Sequence, residues 1–196
     1  MPDKDSIRKQ ILEKRISLAP RILDKAEKTA AEKLALMEEY QNANTVMLYM
    51  DFRNEVPTGM IIEQIRSSEK NLILPLTDKN FNIIPYVIPK EGNLFDYLVT
   101  SDYGIAEPNP SACKEADSES IDMVIVPGSV FDQYENRIGY GKGCYDRFLT
   151  VHIPKAFKLA LAYDFQVLPC IPANPTDVKM DKILTVGTLT STESDT

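Results

Sequence analysis

The chain has 196 residues, with 22 Lys and Arg against 29 Asp and Glu, which gives a formal net charge of −7. An acidic chain lacks the basic face that a nucleic-acid backbone requires, so no nucleic-acid partner is expected. An apolar fraction of 43% is ordinary for a globular protein and excludes disorder of the whole chain. Three cysteines without a C-x-x-C pair, and one histidine, argue against a disulfide framework, a structural zinc site and any multi-histidine metal site.

The N-terminal segment does not resemble a targeting signal. Residues 1–15 lack the apolar core of a signal peptide, and no run approaches the roughly 20 apolar residues that span a bilayer. Free thiols fit a reducing compartment. We therefore expect a cytoplasmic protein with no membrane association and no obligate protein partner.

Two helices are predicted within residues 1–40. The first covers residues 4–17, and its apolar stripe at helical spacing consists of Ile7, Ile11 and Leu18. Basic residues line up beside that stripe at intervals of four and seven, and these are Lys4, Arg8 and Arg15. The second helix begins near Pro20, a favourable residue in a first turn. The basic edge therefore lies at the border of the surface on which the first helix docks.

The N-terminal segment is also the most basic part of the chain. Residues 1–28 hold eight Lys and Arg against five Asp and Glu, a local charge of +3, so the other 168 residues carry −10. A basic segment on an acidic protein indicates either a local anion site or a solvated helix face. Charge by itself leaves both interpretations open.

From residue 45 onward, short apolar runs alternate with helical patterns. Nearly continuous apolar runs are typical of buried parallel strands. Strands are predicted over residues 45–50, 71–75, 82–88, 121–126, 156–163 and 182–185, and helices from Pro57 and from Tyr145. Residues 101–120 are polar and acidic and are predicted as a loop, and residues 187–196 as a frayed tail.

This alternation predicts an α/β fold, in which residues 1–196 form a single three-layer domain. The sheet is expected to be mostly parallel, with helices on both faces. Ligands of such sheets bind beyond the carboxyl ends of the strands. The loops after Met50, Val126 and Tyr163 are therefore the candidate site.

The loop after the 121–126 strand carries the most specific pattern. Gly139, Gly141 and Gly143 alternate along it, and bare backbone N–H groups ahead of a helix can bind an anion. The basic residues that bracket the loop are Arg137, Lys142 and Arg147. The spacing G-x-G-x-G matches neither the dinucleotide fingerprint nor the Walker A loop. We interpret it as a phosphate-binding loop, with a flexible surface turn as the alternative.

Two aspartates are candidate ligands of a divalent cation. Asp146 follows the glycine loop, and Asp181 precedes the last strand. Magnesium is typically held by one or two carboxylates together with substrate phosphates and water. The sequence does not establish that the two side chains meet, and a helix cap or a surface charge is the alternative for either one.

Four separated blocks together resemble the 5-formyltetrahydrofolate cyclo-ligase family, also called methenyltetrahydrofolate synthetases. The central block reads V-P-G-S-V-F-D at 126–132 and R-I-G-Y-G-K-G-C-Y-D-R at 137–147. The N-terminal block is Lys4-x-x-Ile7-Arg8 with Arg15, and the next is Tyr49 with Glu55-Val56-Pro57-Thr58. The C-terminal block consists of residues 162–166, 168–169, Asp177, Asp181 and Thr185. The resemblance covers nearly the whole chain.

The resemblance implies an enzyme that uses ATP and Mg²⁺ to convert 5-formyltetrahydrofolate to 5,10-methenyltetrahydrofolate, releasing ADP and phosphate. It implies ATP binding by Lys4, Arg8, Arg137, Gly139, Tyr140, Gly141, Lys142, Gly143, Cys144 and Tyr145. It implies a folate pocket lined by Met50, Glu55 and residues 140–144, and magnesium ligands at Asp146 and Asp181. Arg137 and Lys4 would supply catalytic charge for phosphoryl transfer, which needs positioning and charge stabilisation more than a covalent nucleophile.

One departure from the family pattern keeps other interpretations open. Cys144 stands where the family usually has tyrosine, and a thiol can neither stack nor donate as a phenol does. The first alternative is an ATP-dependent enzyme of the same kind that acts on another substrate. The second is a module that binds a nucleotide or a folate without catalysis. The charged set at positions 4, 8, 137, 146 and 181 argues against that second alternative.

Overall fold

The computed structural model describes residues 3–102 and 104–187. Its helices are α1 (Lys4–Ile16), α2 (Pro20–Ala35), α3 (Glu38–Asn42), α4 (Gly59–Arg66) and α5 (Cys144–Val151). Its strands are β1 (Thr45–Met47), β2 (Asn71–Thr77), β3 (Ile83–Ile88), β4 (Leu98–Thr100), β5 (Ala106–Pro108), β6 (Lys114–Glu115), β7 (Met123–Val126), β8 (Val130–Asp132), β9 (Arg137–Ile138), β10 (Phe157–Ala162), β11 (Val167–Leu168) and β12 (Lys182–Thr185).

A seven-stranded sheet in the order β12-β10-β7-β1-β2-β3-β6 organises the fold. The pairs from β12 through β2 are parallel, and β3 and β6 add antiparallel strands at one edge. The register pairs Val46 of β1 with Leu72 on one side and Met123 on the other. The predicted largely parallel sheet is confirmed. The strands predicted over 45–50 and 71–75 differ in length, because β1 ends at Met47 and β2 continues to Thr77.

Helices cover both faces of this sheet, as predicted. Alternate strand residues such as Val46 and Leu72 pack with α2 and α4 in one apolar cluster. Their neighbours Met47 and Ile73 pack with α5 in a second cluster on the other face. Successive side chains of a strand point to opposite faces, so an apolar run without alternation buries both faces of the sheet.

A small second sheet determines where α1 lies. Its strand order is β11-β8-β9. Ile7 and Ile11 of α1 are buried against Val130 and Ile138 of this sheet. The predicted docking stripe is thus correct for these two isoleucines, whereas the third, Leu18, is only partly buried and packs on the main core. Because β9 leads directly into the glycine loop, docking on β9 brings α1 beside that loop.

One region differs from the sequence-based prediction, and another lies mostly outside the described residues. The segment 101–120 was predicted as a loop but contains β5 and β6, since β5 pairs with β4 and β6 extends the edge of the main sheet beside β3. Of the predicted tail 187–196, residues 188–196 lie outside the described residues. In the described part of the chain, no helix is long and apolar enough to cross a membrane.

Candidate active site

The loops that follow the carboxyl ends of the parallel strands meet at one edge of the sheet. The Tyr163 hydroxyl, just after β10, donates to the backbone oxygen of Glu55 in the loop after β1 (3.3 Å). The Gln166 amide donates to the backbone oxygens of Gly128 (3.3 Å) and Ser129 (2.9 Å), just after β7. The three loops chosen from the sequence therefore form one site.

The glycine loop bends back on itself between β9 and α5. Gly141 and Gly143 have φ values of +98° and +64°, which favour glycine, and Gly143 is the N-cap of α5. A Cβ at Gly139 would lie 2.7 Å from Nη1 of Arg137, so a side chain there would displace this guanidinium. The loop and the first turn of α5 therefore present backbone N–H groups next to the Arg137 guanidinium.

Arg137 is a buried cation whose Nε atom has no hydrogen-bond partner among the described residues. It is 5% exposed, and its Nη2 donates to Oδ2 of Asp146 (3.0 Å) while its Nη1 donates to the backbone oxygen of Pro127 (3.1 Å). Buried polar groups are nearly always paired, so the Nε–H group is available to donate a hydrogen bond to an incoming acceptor.

The basic edge of α1 faces the glycine loop. The Arg8 Nε donates to the backbone oxygen of Gly139 (2.7 Å), and the Lys4 ammonium is paired with the carboxylate of Asp177. Arg8 also pairs with Asp5 one turn earlier on α1. The structure thus brings Arg8 to the same loop as Arg137, and Lys4 to Asp177, whose carboxyl also interacts with the Arg137 charge.

The remaining loop residues lie nearer the surface. Lys142 is exposed, with its ammonium 5.0 Å from the centre of the Phe81 ring. The Arg147 guanidinium donates to the backbone oxygens of Lys142 (2.8 Å) and Phe81 (2.7 Å). Arg147 therefore holds the loop against the turn that precedes β3.

Cys144 and Tyr145, which begin α5, are partly buried. Both pack against the apolar cluster under α5. Cys144 also lines a groove of about 150 Å³ with residues 82, 83, 147, 148, 151 and 152. Burial raises the pKa of the Tyr145 phenol above its usual value. The centre of the Tyr145 ring lies 5.9 Å from the Arg137 guanidinium carbon.

A buried acid lies behind the glycine loop. The Tyr140 hydroxyl donates to Oε1 of Glu55 (2.7 Å), and the Phe52 backbone N–H donates to Oε2 (3.0 Å). The Arg15 Nη2 donates to the Tyr140 hydroxyl (2.5 Å), and its Nη1 lies 4.0 Å from Oε1 of Glu55. Burial raises the pKa of the Glu55 carboxyl to about 7, although the Arg15 charge and the Tyr140 hydrogen bond pull it down.

The other predicted pocket residue, Met50, follows β1 in the same loop. It is partly buried and packs on the main core. Asp51 beside it accepts a hydrogen bond from the Thr58 backbone N–H (3.1 Å), which closes the loop. Met50 is therefore held next to the segment that carries Glu55.

The two candidate magnesium ligands have separate partners. Oδ1 of Asp146 accepts from the Val178 backbone N–H (3.0 Å), and Oδ2 accepts from Arg137. Oδ2 of Asp181 accepts from the Lys158 backbone N–H (2.7 Å) and lies 3.5 Å from the Lys158 ammonium. Within residues 3–102 and 104–187, no group of three His, Cys, Asp or Glu side chains could hold a metal ion.

Sequence reasoning missed two parts of the site. Arg15 was placed with Lys4 and Arg8 in a basic edge bordering the docking surface of the first helix, yet it is 0% exposed. Asp132 was not singled out, and its carboxylate accepts from the backbone N–H groups of Tyr134, Asn136 and Ile171, which orders the segment leading into the glycine loop. The seven-residue spacing from Arg8 to Arg15 indicated a shared helix edge but not burial.

The fold and the site define an α/β protein in which basic side chains and a glycine loop lie at the carboxyl edge of a largely parallel sheet. A family model described as "5-formyltetrahydrofolate cyclo-ligase family" matches residues 1–186. The 5-formyltetrahydrofolate cyclo-ligase of Mus musculus is 28% identical over 159 residues, covering 78% of each chain.

Two solved structures share the fold. The 5,10-methenyltetrahydrofolate synthetase of Aquifex aeolicus superposes with a TM-score of 0.81 at 31% identity, covering 93% of this chain and 89% of that one. The synthetase of Mycoplasma pneumoniae gives a TM-score of 0.73 at 26% identity, covering 93% and 98%. The chain belongs to the 5-formyltetrahydrofolate cyclo-ligase family, a family of folate-dependent ligases.

Proposed function

We propose that the chain converts 5-formyltetrahydrofolate and ATP to 5,10-methenyltetrahydrofolate, ADP and phosphate. The observation that carries this proposal is a cluster of three cations in front of a buried carboxylate: Arg8 and Arg137 lie at the glycine loop, and Lys4 pairs with Asp177 close to Arg137. Arg8 of α1 donates to the Gly139 carbonyl, and Arg137 of β9 lies at the start of the loop. Lys4 of α1 pairs with Asp177, whose carboxyl also interacts with the Arg137 charge. Family membership over residues 1–186 supports the same reaction.

The ATP phosphates are proposed to bind between the three cations Lys4, Arg8 and Arg137 and the loop over 139–145. Cationic donors and the N-terminus of α5 favour a polyanion at this point. The unpartnered Nε of Arg137 supports the assignment, because a phosphate oxygen would supply the acceptor that it lacks. The carboxylates that hold Lys4 and Arg137 are both partly exposed, so phosphates can compete for these cations.

The folate is proposed to bind against Met50, Glu55 and residues 140–144. Two hydrogen bonds to Glu55 leave lone pairs on both carboxylate oxygens. These lone pairs can accept N–H donors from the folate ring system. The half-exposed ring of Tyr140 offers an apolar surface beside the same carboxylate.

The chemistry needs activation of a formamide, whose oxygen is a poor leaving group. The formyl oxygen attacks the γ-phosphorus of ATP in line, and the bond from that phosphorus to the bridging oxygen breaks to release ADP. The N10 amine then attacks the formyl carbon of the imidoyl phosphate, loses its proton and expels phosphate. Lys4, Arg8 and Arg137 would stabilise charge on the transferring group, and no general base is assigned.

Magnesium is proposed to accompany ATP. Asp146 fits as a ligand, because it is a partly exposed oxygen donor in the first turn of α5 beside Arg137. Asp181 fits less well, because it pairs with Lys158 at the amino ends of β12 and β10, whereas Tyr163 and the loops of the site follow the carboxyl ends of the strands. When bound, the ion would neutralise phosphate charge.

We also propose that residues 1–196 act as one cytoplasmic domain without an obligate protein partner. One apolar cluster joins α2, α3 and α4 to the central strands, which supports a common core. The three cysteines are free, which fits a reducing compartment.

The test is to mix the purified protein with 5-formyltetrahydrofolate and Mg-ATP and to follow the near-ultraviolet absorbance of the methenyl product. We expect the band to grow only when ATP is present, with one ADP released per product. A folded protein that binds ATP but forms no product would instead support an enzyme of the same kind acting on another substrate.

A further inference from the structure

Arg15 lies at the point where three loops of the site come together. Its Nε donates to the backbone oxygen of Arg53 (2.9 Å), Nη1 to that of Gly128 (3.3 Å) and Nη2 to the Tyr140 hydroxyl (2.5 Å). The side chain is fully buried. A buried charge is tolerated only when its donors are satisfied, so the positions of these acceptors and of Arg15 determine one another.

The direction of the hydrogen bonds extends this effect to Glu55. A guanidinium can only donate, so the Tyr140 hydroxyl accepts from Arg15 and must turn its own proton toward Oε1 of Glu55. The chain of donors thus runs from Arg15 through Tyr140 to Glu55. Replacing either of the first two residues would leave Oε1 of Glu55 without this oriented donor, and only the Phe52 backbone N–H would then hold the carboxylate through Oε2.

The backbone before Glu55 is also held against α1. Arg53 and Asn54 have φ values of +50° and +56°, a conformation that disfavours residues with a Cβ. The Arg53 carbonyl is bound by Arg15, and the Asn54 side chain donates to the backbone oxygens of Arg15 and Ile16 (both 3.1 Å). The end of α1 therefore holds this two-residue turn in the form that aims Glu55 at the site.

We propose that Arg15 is a positioning residue for the folate, acting through Tyr140 and Glu55 rather than on ATP. The proposal rests on the proposed function, because it takes Glu55 as a contact of the folate. Arg15 lies seven residues beyond Arg8, which is about two helical turns or 10 Å along α1. The phosphate-facing end and the Glu55-facing end of the same helix therefore have separate roles.

The electrostatic surroundings of Glu55 make Arg15 the cation that favours its ionised form. The ionisable groups that act on Glu55 from the elements around it are Arg15 on α1, Asp51 before it, and Tyr49, Tyr140, Tyr145 and Tyr163. Arg15 is the positive group in this set. Its removal should raise the pKa of Glu55 further above 7.

The test compares Arg15→Met, Arg15→Lys and Tyr140→Phe with Arg21→Met, which removes an exposed arginine of α2. For Arg15→Met we expect the Kd for 5-formyltetrahydrofolate at pH 8 to rise about tenfold or more, and the Kd for ATP to change by less than about threefold. Arg15→Lys should bind the folate more tightly than Arg15→Met does but less tightly than the wild type, because lysine keeps the charge but not the three hydrogen bonds of the guanidinium. Tyr140→Phe removes only the hydroxyl that links Arg15 to Glu55. Its loss of folate affinity therefore tests the same chain of hydrogen bonds if Arg15→Met fails to fold.

Two further measurements separate positioning from a general structural effect. In a Glu55→Gln background, Arg15→Met should cost little additional folate affinity, because both changes act on one contact. Carbon-13 NMR of the Glu55 carboxyl should give a titration midpoint near pH 7 in the wild type and a higher one in Arg15→Met. Arg21→Met should leave both measurements unchanged.

The outcomes distinguish this proposal from the proposed function. Equal loss of folate and ATP affinity in Arg15→Met, or additive losses in the Glu55→Gln background, would overturn the positioning role. A wild-type protein that does not bind 5-formyltetrahydrofolate would overturn the folate role proposed for Glu55. The NMR midpoints would still show whether Arg15 controls the charge of Glu55.

Discussion

Two buried arginines of the site differ in how their donors are used. Every guanidinium nitrogen of Arg15 donates to a protein acceptor, whereas Nε of Arg137 has no partner among the described residues. Both side chains are 5% exposed or less. An arginine whose three nitrogens all donate to protein acceptors orders its neighbours, and an arginine whose Nε lacks an acceptor can still bind an incoming anion. The two arginines are therefore similarly buried but are proposed to have different roles, positioning for Arg15 and phosphate binding for Arg137.

The carboxylates beside the two arginines differ in the same sense. Glu55 is 5% exposed and receives its hydrogen bonds from the tyrosine and the loop around it. Asp146 is partly exposed and is shared between Arg137 and a backbone N–H. The Arg137 pair can therefore rearrange around a phosphate more readily than the Glu55 cluster can.

The largest expected effect comes from removing the arginine whose Nε lacks an acceptor. Arg137→Ala should lower kcat by about 100- to 1,000-fold, because it removes charge stabilisation of the transferring phosphoryl group. The rate of methenyl absorbance growth measures this effect. Arg21→Ala, which removes an exposed arginine of α2, is the matched control and should leave turnover unchanged. Unchanged turnover in Arg137→Ala would contradict the assignment of Arg137 to the phosphate site.

A smaller effect is expected at the phosphate-facing end of α1. Lys4→Ala should raise the Kd for ATP about ten- to a hundredfold, because a charge-assisted hydrogen bond contributes roughly 1.5–3 kcal/mol. The Kd for 5-formyltetrahydrofolate should stay the same, which would sharpen the contrast with Arg15. Calorimetric titration of Lys4→Ala and of the exposed control Lys9→Ala measures both constants. Equal ATP affinities in the two variants would mean that Lys4 does not contact ATP and would support the alternative interpretation of a solvated helix face.

The smallest effect concerns stability rather than activity. The pKa of Glu55 is raised from 4.5 to about 7 in the folded protein, so the folded state binds this proton more tightly than the unfolded state does. The unfolding free energy should therefore fall as the pH rises from 4.5 to 7, by about 2–3 kcal/mol from this group. Glu55→Gln should lack this part of the pH dependence.

Urea unfolding of the wild type and of Glu55→Gln at several pH values measures that difference. Glu13→Gln, which changes an exposed glutamate of α1, is the control and should follow the wild type. Parallel curves for the wild type and Glu55→Gln would mean that the Glu55 pKa is not raised.

Much of the main fold could be predicted from local pattern. The apolar run that ends at Val126 is buried on both faces, as a central parallel strand must be. The small sheet of β8, β9 and β11 could not be predicted, because strands of two or three residues show no usable periodicity. That sheet is nevertheless what α1 docks on.

The sequence by itself determined the alternation of strands and helices, the glycine loop and the basic edge of α1, because these features are set by neighbouring residues. Only the tertiary structure distinguished Arg15 from Lys4 and Arg8, which look alike in the sequence. The partners Glu55 and Tyr140 are 85 residues apart, and Arg15 is 125 residues from Tyr140. Burial and hydrogen-bond satisfaction depend on such distant contacts, so the roles of these charged side chains were decided by packing.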